Sequence, residues 1–274
     1  MDIVRKNEKV VQINVDAPEQ KYLIIADLHI DSNHCDRKLL IRMLDHAANE
    51  GYLIVVVGDA FDLMQNTKDP RANKSSLKDE YKRDDYLDAV KDDATKTLWP
   101  YREHIAMILM GNHETAVLRH YGTNMTNRLC CALQESRSWP IPMGYDAWLM
   151  TKFKWAGKSY SGHNTYLWHG SGGAAPVTKG VIKAARQNVW LEGVDLSVMG
   201  HSHNAWHVAQ RVKGLTQKGE SYERTVHTVM VPSFKFQGEW ETSVGMEPKP
   251  RGGAWVTIKR DKPINHTNVV LQLE

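Results

Sequence analysis

Short, largely apolar runs recur along the first three quarters of the chain, and polar turns separate them. The runs occupy residues 22–26, 53–57, 105–110, 165–168 and 196–199. Each run has the length of a β-strand, and none alternates with polar residues as a strand with one face in water would. We therefore expect these strands to lie in a sheet that is covered on both faces.

Two segments have the apolar spacing of amphipathic helices. The first covers residues 36–50, and Gly51 follows it as a helix stop signal. Its apolar face contains Leu40, Met43, Leu44 and Ala47. The second begins at Pro176, and its expected apolar face contains Val177, Val181, Ala184, Ala185 and Val189. Strands that alternate with helices predict an α/β layered fold.

The last quarter of the chain changes to strands without helices. The strands are expected at residues 205–212, 224–231, 254–259 and 269–273. A second sheet packed on the first would accommodate them, so residues 1–274 are predicted to form a single domain. Two polar stretches, residues 65–85 and 235–253, are expected to be surface loops. The alternative prediction is that they form the rim of a substrate cleft.

The composition is that of an ordinary globular protein, with 42% hydrophobic and 24% charged residues. A net charge of +3 is too small to indicate a nucleic-acid partner by itself. Cys35, Cys130 and Cys131 offer no disulfide framework, since two of them are neighbours in sequence. Neither a signal-peptide core nor a span of ~20 apolar residues occurs. We expect a cytoplasmic protein with no membrane partner.

Side chains with metal-binding chemistry follow the end of every one of the five aliphatic runs. In chain order they are Asp27 and His29, Asp59 and Asp62, Asn112 and His113, His169, and His201 and His203. The carboxyl ends of the strands form the binding edge of an open α/β sheet. The pairs Asp27/His29 and His201/His203 are spaced by two residues, so on extended chain each pair would point in one direction.

Each of these fragments is weak evidence alone, because a Gly-Asp pair usually makes a turn and a lone histidine is usually structural. Five such fragments at five strand ends favour one common site. Imidazole, carboxylate and amide ligands without thiolate suit Mn²⁺, Fe, Zn²⁺, Co²⁺ or Ni²⁺, and we take Mn²⁺ as the leading candidate. The ligands outnumber those that one ion needs, which favours two divalent metal ions.

The ordered motifs resemble those of the calcineurin-like metallophosphoesterases. They are Asp27-x-His29, Gly58-Asp59-x-x-Asp62, Gly111-Asn112-His113-Glu114, His169 and Gly200-His201-x-His203. They occur in the family's order and cover residues 22–203. The resemblance implies two packed mixed β-sheets flanked by helices, a four-layer αββα sandwich. It also implies hydrolysis of phosphate esters.

The resemblance further implies roles for individual residues. One metal would be bound by Asp27, His29, Asp59 and His203, and the other by Asp59, Asn112, His169 and His201. Asp59 would bridge the two ions, and a bridging hydroxide would attack phosphorus. Asn112 would also orient a phosphate oxygen, and His113 would protonate the leaving oxygen as general acid. Asp62 and Glu114 would orient the histidines.

The substrate class stays open within this resemblance. Asp62 is followed by Leu63 and Met64, unlike the Asp-Arg-Gly of protein Ser/Thr phosphatases, so the pattern is closer to bacterial and viral phosphoesterases. A phosphodiester, with a nucleotide or nucleic acid among the candidates, is the first expectation. Phosphomonoesterase activity, DNA or RNA nuclease activity and a non-catalytic scaffold of the same fold are the alternatives. The glycine-rich residues 169–176 would cradle a phosphate at a helix start, or form a plain turn. The sequence does not indicate an oligomeric state.

Overall fold

Two β-sheets organise the chain in the computed structural model, which describes residues 2–63, 78–155, 158–261 and 265–274. The strands are β1 (Asp2–Asn7), β2 (Val10–Val15), β3 (Glu19–Ile25), β4 (Leu53–Val57), β5 (Ile105–Leu109), β6 (Ile141–Met143), β7 (Asp146–Trp155), β8 (Lys158–Trp168), β9 (Leu196–Met199), β10 (Trp206–Leu215), β11 (Ser221–Met230), β12 (Gly252–Lys259) and β13 (His266–Leu273). The helices are α1 (Arg37–Asn49), α2 (Tyr86–Leu98), α3 (Asn112–Tyr121), α4 (Met125–Gln134), α5 (Val181–Asn188) and α6 (Glu239–Ser243).

Both sheets are mixed. The six-stranded sheet has the order β13-β12-β3-β4-β5-β6, in which β3 to β6 are parallel and β12 and β13 are antiparallel additions. The seven-stranded sheet has the order β1-β2-β7-β8-β9-β11-β10, with β8, β9 and β11 parallel. The sheets pack on each other, and helices flank them. The predicted fold of two mixed sheets flanked by helices is confirmed.

The aliphatic runs are buried on both sides, as their sequence predicts. All five residues of β4 are buried, and successive side chains point to opposite faces. Ile54 and Val56 pack with the helices, while Val55 and Val57 pack against the seven-stranded sheet. A fully buried strand of this kind needs an apolar residue at every position, which explains the absence of alternation.

Helix α1 confirms the predicted amphipathic segment at residues 36–50. The Asp36 carboxylate caps it by accepting the backbone N–H of Leu39 at 3.1 Å. The buried face consists of Leu39, Leu40, Met43, Leu44 and Ala47, and it packs on the six-stranded sheet. Gly51, with φ at 71°, follows the helix in the left-handed conformation that favours glycine.

The expectation that the last strands form a second sheet of their own is wrong. β10 and β11 extend the seven-stranded sheet beside β9, whereas β12 and β13 extend the six-stranded sheet beside β3. The strands β1, β2 and β7, absent from the prediction, complete the seven-stranded sheet. The short helix α6 also interrupts the region predicted to lack helices. The apolar pattern of the sequence indicates which residues form strands, but it does not indicate which sheet edge each strand joins.

The predicted second helix is shorter than expected, and only part of its predicted apolar face is buried. Residues 176–180 form a turn, and α5 begins only at Val181. Val177 and Val189 lie outside the helix and are exposed. The buried side chains of α5 are Ala184 and Gln187. Since the glycine-rich segment at residues 169–176 leads into a turn, it does not place a phosphate cradle at the helix start. Every helix within the described ranges is too short or too polar to cross a bilayer.

His163 should make folding stability depend on pH. It is buried between the sheets, and its Nε2 lies 2.9 Å from the Thr267 hydroxyl. Burial lowers the pKa of His163 to about 4, so between pH 6.5 and 4 the unfolded chain binds a proton that the folded chain does not. The stability that wild type owes to a neutral His163 is complete above pH 6.5 and is lost as the pH falls.

We therefore expect the stability advantage of wild type over His163→Gln to shrink by about 2 kcal/mol between pH 7 and pH 5. Urea unfolding of both proteins at each pH measures this difference. An advantage that stays constant with pH would show that His163 is not held neutral.

Candidate metal centre

The ends of β3, β4, β5, β8 and β9 meet at one edge of the two sheets. Within the six-stranded sheet, the N–H of Asp27 donates to the carbonyl of Gly58 at 3.1 Å. Between the sheets, the N–H of His201 donates to Oδ2 of Asp27 at 2.8 Å, and Nδ1 of His169 donates to the carbonyl of Val57 at 2.8 Å. All five strand-end motifs therefore contribute to one site.

Most candidate ligands sit on left-handed backbone rather than on extended chain. The φ angles are 52° at Asp27, 45° at His29, 47° at Asp59, 68° at His201 and 54° at His203. The expectation that residues two apart converge because the chain is extended is therefore wrong. The chain turns sharply after each strand, and such backbone strain concentrates at functional sites.

Two glycines allow the strand ends to approach this closely. A Cβ atom on Gly111 would lie 2.0 Å from Oδ1 of Asp59, and one on Gly58 would lie 2.4 Å from Nδ1 of His169. Gly58 also has a φ of 82°, which side-chain-bearing residues rarely adopt. The glycines of the Gly-Asp and Gly-Asn motifs thus make room for the metal-binding side chains.

Asp27, His29 and His203 form the first of three groups of possible ligands. Oδ1 of Asp27 lies 3.9 Å from Nε2 of His29 and 3.3 Å from Nε2 of His203. The two histidine Nε2 atoms are 3.4 Å apart. Three ligand atoms at these separations can surround a single cation.

Asp59, His169 and His201 form the second group. Oδ2 of Asp59 lies 3.1 Å from Nε2 of His169, and Oδ1 of Asn112 lies at the same distance from that nitrogen. Nε2 of His169 is also 4.0 Å from Oδ1 of Asp27, so the two groups are adjacent. The structure thus brings together all seven residues predicted to bind metal.

Asp62 joins His29 to His113. Its Oδ1 lies 2.9 Å from Nδ1 of His29, and its backbone carbonyl accepts a hydrogen bond from Nδ1 of His113. Nε2 of His113 lies 3.6 Å from Oδ2 of Asp59. The predicted contact of Asp62 with a histidine is present, and His113 faces the second group. His29, Asp62 and His113 also lie close enough to form a third group of ligand type.

Glu114 holds the backbone beneath the ligands through three hydrogen bonds. It accepts the N–H groups of Asp59 at 3.2 Å, Phe61 at 3.0 Å and Gly111 at 2.7 Å. Burial and the neighbouring Asp59 raise the pKa of Glu114 to about 7. Glu114 lies in the first turn of α3, and its hydrogen bonds hold the ends of β4 and β5 together.

The electrostatics favour a cation at this edge. Burial alone would raise the pKa of Asp59, but His113 and His169 outweigh it and hold that pKa well below its usual value. For a histidine the effect of burial has the opposite sign and lowers the pKa. The negative charges of Asp59 and Asp27 outweigh it and raise the pKa of His169 to about 10. Without a metal, the two aspartates therefore retain a proton on His169. A bound cation would take over the charge of that proton.

One buried atom tests whether these residues fit a metal. Oδ1 of Asp27 is inaccessible to water, and none of the described residues gives it a hydrogen bond. An unpaired buried carboxylate oxygen is costly, and this one is surrounded by histidine nitrogens. A cation there would satisfy it. The donor set of carboxylate, imidazole and amide fits divalent ions of the first transition series.

Three supporting residues were missed by the sequence analysis. Asp31 accepts the N–H groups of Asp62 at 2.5 Å and Leu63 at 2.9 Å. The Tyr145 ring packs edge-on against His169, with centroids 5.4 Å apart. Lys235 lies 3.3 Å from Asp62. Asp31 had a signal in the sequence, since it continues the spacing of Asp27 and His29. Lys235 had only the position of the polar stretch 235–253.

The polar stretch at residues 235–253 borders the site, because Lys235 reaches Asp62 and Lys249 donates to Oδ1 of Asn204 at 2.9 Å. The stretch at residues 65–85 lies largely outside the described residues. Selection of substrate by either stretch stays a prediction. His104, which the motifs leave out, lies near the carbonyl of Tyr52.

Similar solved structures have low sequence identity to this chain. Vps29 from Entamoeba histolytica, solved with Zn²⁺, is 9% identical, with a TM-score of 0.35 and coverage of 92% of this chain and 99% of that chain. GAP50 of Plasmodium is 12% identical, with a TM-score of 0.43 and coverage of 94% and 84%. Chaetomium thermophilum Vps29 is 12% identical, with a TM-score of 0.36 and coverage of 94% and 97%. No function follows from likeness at this level. No curated protein matches the sequence.

The family assignment comes from the sequence match. The family model for the calcineurin-like phosphoesterases matches residues 20–205. This range covers more than half of the chain and contains every residue of the three groups of possible ligands. The match and the geometry at the strand ends agree, and the chain belongs to the calcineurin-like phosphoesterase family.

Proposed function

We propose that this protein hydrolyses phosphate esters with the help of two divalent metal ions, Mn²⁺ being the leading candidate. The proposed metal-binding residues are Asp27, His29, Asp59, Asn112, His169, His201 and His203. One observation carries the proposal: a buried, unpaired oxygen of Asp27 faces histidine nitrogens of the first and second groups. When bound, the two cations would supply Lewis-acid activation of water and of the phosphoryl oxygens.

The hydrogen bonds around the histidines support this role. A carbonyl oxygen can only accept, so the Val57 carbonyl fixes the proton of His169 on Nδ1. When a cation displaces the second proton, Nε2 of His169 would present its lone pair to that cation. The Asp62 carboxylate lies 2.9 Å from Nδ1 of His29, as an ion-pair contact. Partners of this kind orient metal-binding imidazoles and increase their basicity.

The same argument identifies the nitrogen of His113 that would carry a transferable proton. The Asp62 carbonyl fixes one proton on Nδ1 of His113, so Nε2 is the nitrogen that gains and loses the second. Since Nε2 faces Asp59, a substrate phosphate at the centre would present its leaving oxygen to it. A general acid helps most when the leaving group is a basic alkoxide. This favours a phosphodiester as the substrate, with a phosphomonoester as the alternative.

The test uses metal-free protein reloaded with Mn²⁺ and offered bis(4-nitrophenyl) phosphate, 4-nitrophenyl phosphate, and single- and double-stranded DNA. We expect metal-dependent hydrolysis that a chelator removes and that Asp27→Asn abolishes. The matched control is Asp146→Asn, which changes a carboxylate that pairs with Lys9 on the surface. Hydrolysis of DNA would identify a nuclease. Folded, metal-loaded protein without activity on any ester would contradict the proposal and favour a scaffold.

A further inference from the structure

Lys235 brings a positive charge to the opening of the metal centre. Its Nζ lies 3.3 Å from Oδ1 of Asp62, and 17% of the lysine side chain is exposed. The same carboxylate oxygen lies 2.9 Å from Nδ1 of His29. Asp27 and His169 are fully buried beneath. The ammonium group therefore sits where the centre meets solvent, next to the first group of ligands.

The backbone around Lys235 is fixed on both sides. The N–H of Phe234 donates to the carbonyl of Asp27 at 3.1 Å, and the N–H of Phe236 donates to the carbonyl of His34 at 2.8 Å. Lys235 itself forms a β-bridge with Cys35, and the Phe234 side chain is fully buried. A charge held this rigidly loses little conformational freedom when it binds a ligand.

Lys235 and His113 flank the same residue. His113 contacts the backbone carbonyl of Asp62, while Lys235 contacts its carboxylate. The rings of His29 and His113 lie 4.9 Å apart, centroid to centroid. Lys235 is therefore on the side of the centre where a proton would reach the leaving oxygen. An ammonium group has three N–H donors, and the contact with Asp62 uses one of them.

We propose that Lys235 binds substrate and selects one that carries a second negative charge beside the scissile bond. This inference rests on the proposed function. Two divalent cations are enough to compensate the single negative charge of a simple phosphodiester. A further fixed cation therefore favours substrates that carry an additional negative charge. The recognised chemistry is an anionic phosphate oxygen. It belongs either to the dianionic phosphoryl group of a monoester or to a further phosphate on a diester.

The kinetic test compares substrates that share one leaving group but differ in charge. Lys235→Gln is expected to raise the KM of dianionic 4-nitrophenyl phosphate by about ten- to a hundredfold, the worth of a charge-assisted hydrogen bond. The KM of monoanionic bis(4-nitrophenyl) phosphate should change by less than about threefold, with kcat little affected in both cases. Lys235→Arg should restore most of the lost discrimination.

A third substrate identifies the source of the charge. Thymidine 3′-phosphate 5′-(4-nitrophenyl phosphate) is a diester that carries a second phosphate. A rise in KM for this substrate assigns Lys235 to the neighbouring phosphate, and a rise confined to the monoester assigns it to the dianionic phosphoryl group. Equal changes for all three substrates would overturn the proposal.

A binding measurement separates this proposal from the proposed function. Calorimetry with inorganic phosphate on Mn²⁺-loaded protein should show weaker binding for Lys235→Gln, with the Mn²⁺ content unchanged. Lys249→Gln is the matched control, because Lys249 is similarly buried in the same segment but contacts Asn204. Loss of Mn²⁺ from Lys235→Gln would overturn the role of Lys235. Unchanged phosphate binding would do the same if the KM of the thymidine substrate is also unchanged. Phosphate binding that depends on Lys235 in a protein inactive on every ester would refute only the proposed function.

Discussion

Asp59→Asn is expected to lower the rate of phosphodiester hydrolysis by at least about 10³-fold, because the change removes several kcal/mol of charge stabilisation at the metals. Asp59 is fully buried, and its Oδ2 lies 3.1 Å from Nε2 of His169. Asparagine has nearly the same shape but lacks the negative charge. If Asp59 bridges the two ions, both of them lose a carboxylate ligand.

The informative comparison is with a residue proposed to bind one ion only. His203 lies at the edge of the centre, with 25% of its side chain exposed. His203→Asn should therefore cost less activity than Asp59→Asn, by about tenfold or more, and should weaken the first site alone. Steady-state rates with metal analysis of each variant measure both effects. Equal losses from the two substitutions would argue against the bridge.

His113→Asn should affect substrates according to how much their leaving group needs a proton. An alkyl phosphodiester expels a strongly basic alkoxide, so losing a general acid should slow its hydrolysis by about 10²–10⁴-fold. A nitrophenyl ester expels a stable anion that departs without protonation. Its hydrolysis should fall much less, while both metals stay bound.

Two other roles for His113 predict different results. If His113 only clamps the phosphate, both substrates should slow by similar factors. If it binds metal together with His29 and Asp62, a geometry that their proximity permits, the variant should lose metal. His104→Asn is the matched control, because His104 contacts the carbonyl of Tyr52 away from the centre. Rates on both substrates and the metal content of one preparation distinguish these roles.

The sequence predicted those parts of the site that lie at the ends of strands. Asp59 and Asn112 follow fully buried strands, and the carboxyl ends of parallel strands meet at one edge. The order and spacing of the motifs were therefore enough to assemble the candidate ligands. The reason given for their convergence was wrong, because His29 and His203 turn into left-handed backbone. The close approach of Gly111 to Asp59 is likewise a contact between distant parts of the chain.

The remaining errors concern contacts between distant parts of the chain. Lys235 follows the last motif by more than thirty residues. The β-bridge with Cys35 and the backbone hydrogen bonds of the neighbouring phenylalanines bring it to Asp62. On the predicted apolar face of α5, Ala184 is buried as expected, whereas Val177 and Val189 lie outside the helix, which begins at Val181. The placement of β12 beside β3 depends on which sheet edge was available.

The central claim is that the strand ends hold two metal ions bridged by Asp59. A crystal structure of the protein saturated with Mn²⁺, with anomalous scattering used to locate manganese, tests it most directly. We expect two manganese peaks roughly 3.5–4 Å apart, with the Asp59 carboxylate between them. The first peak should contact Asp27, His29 and His203, and the second Asn112, His169 and His201. A single peak in fully loaded crystals, or two peaks without Asp59 between them, would contradict the claim.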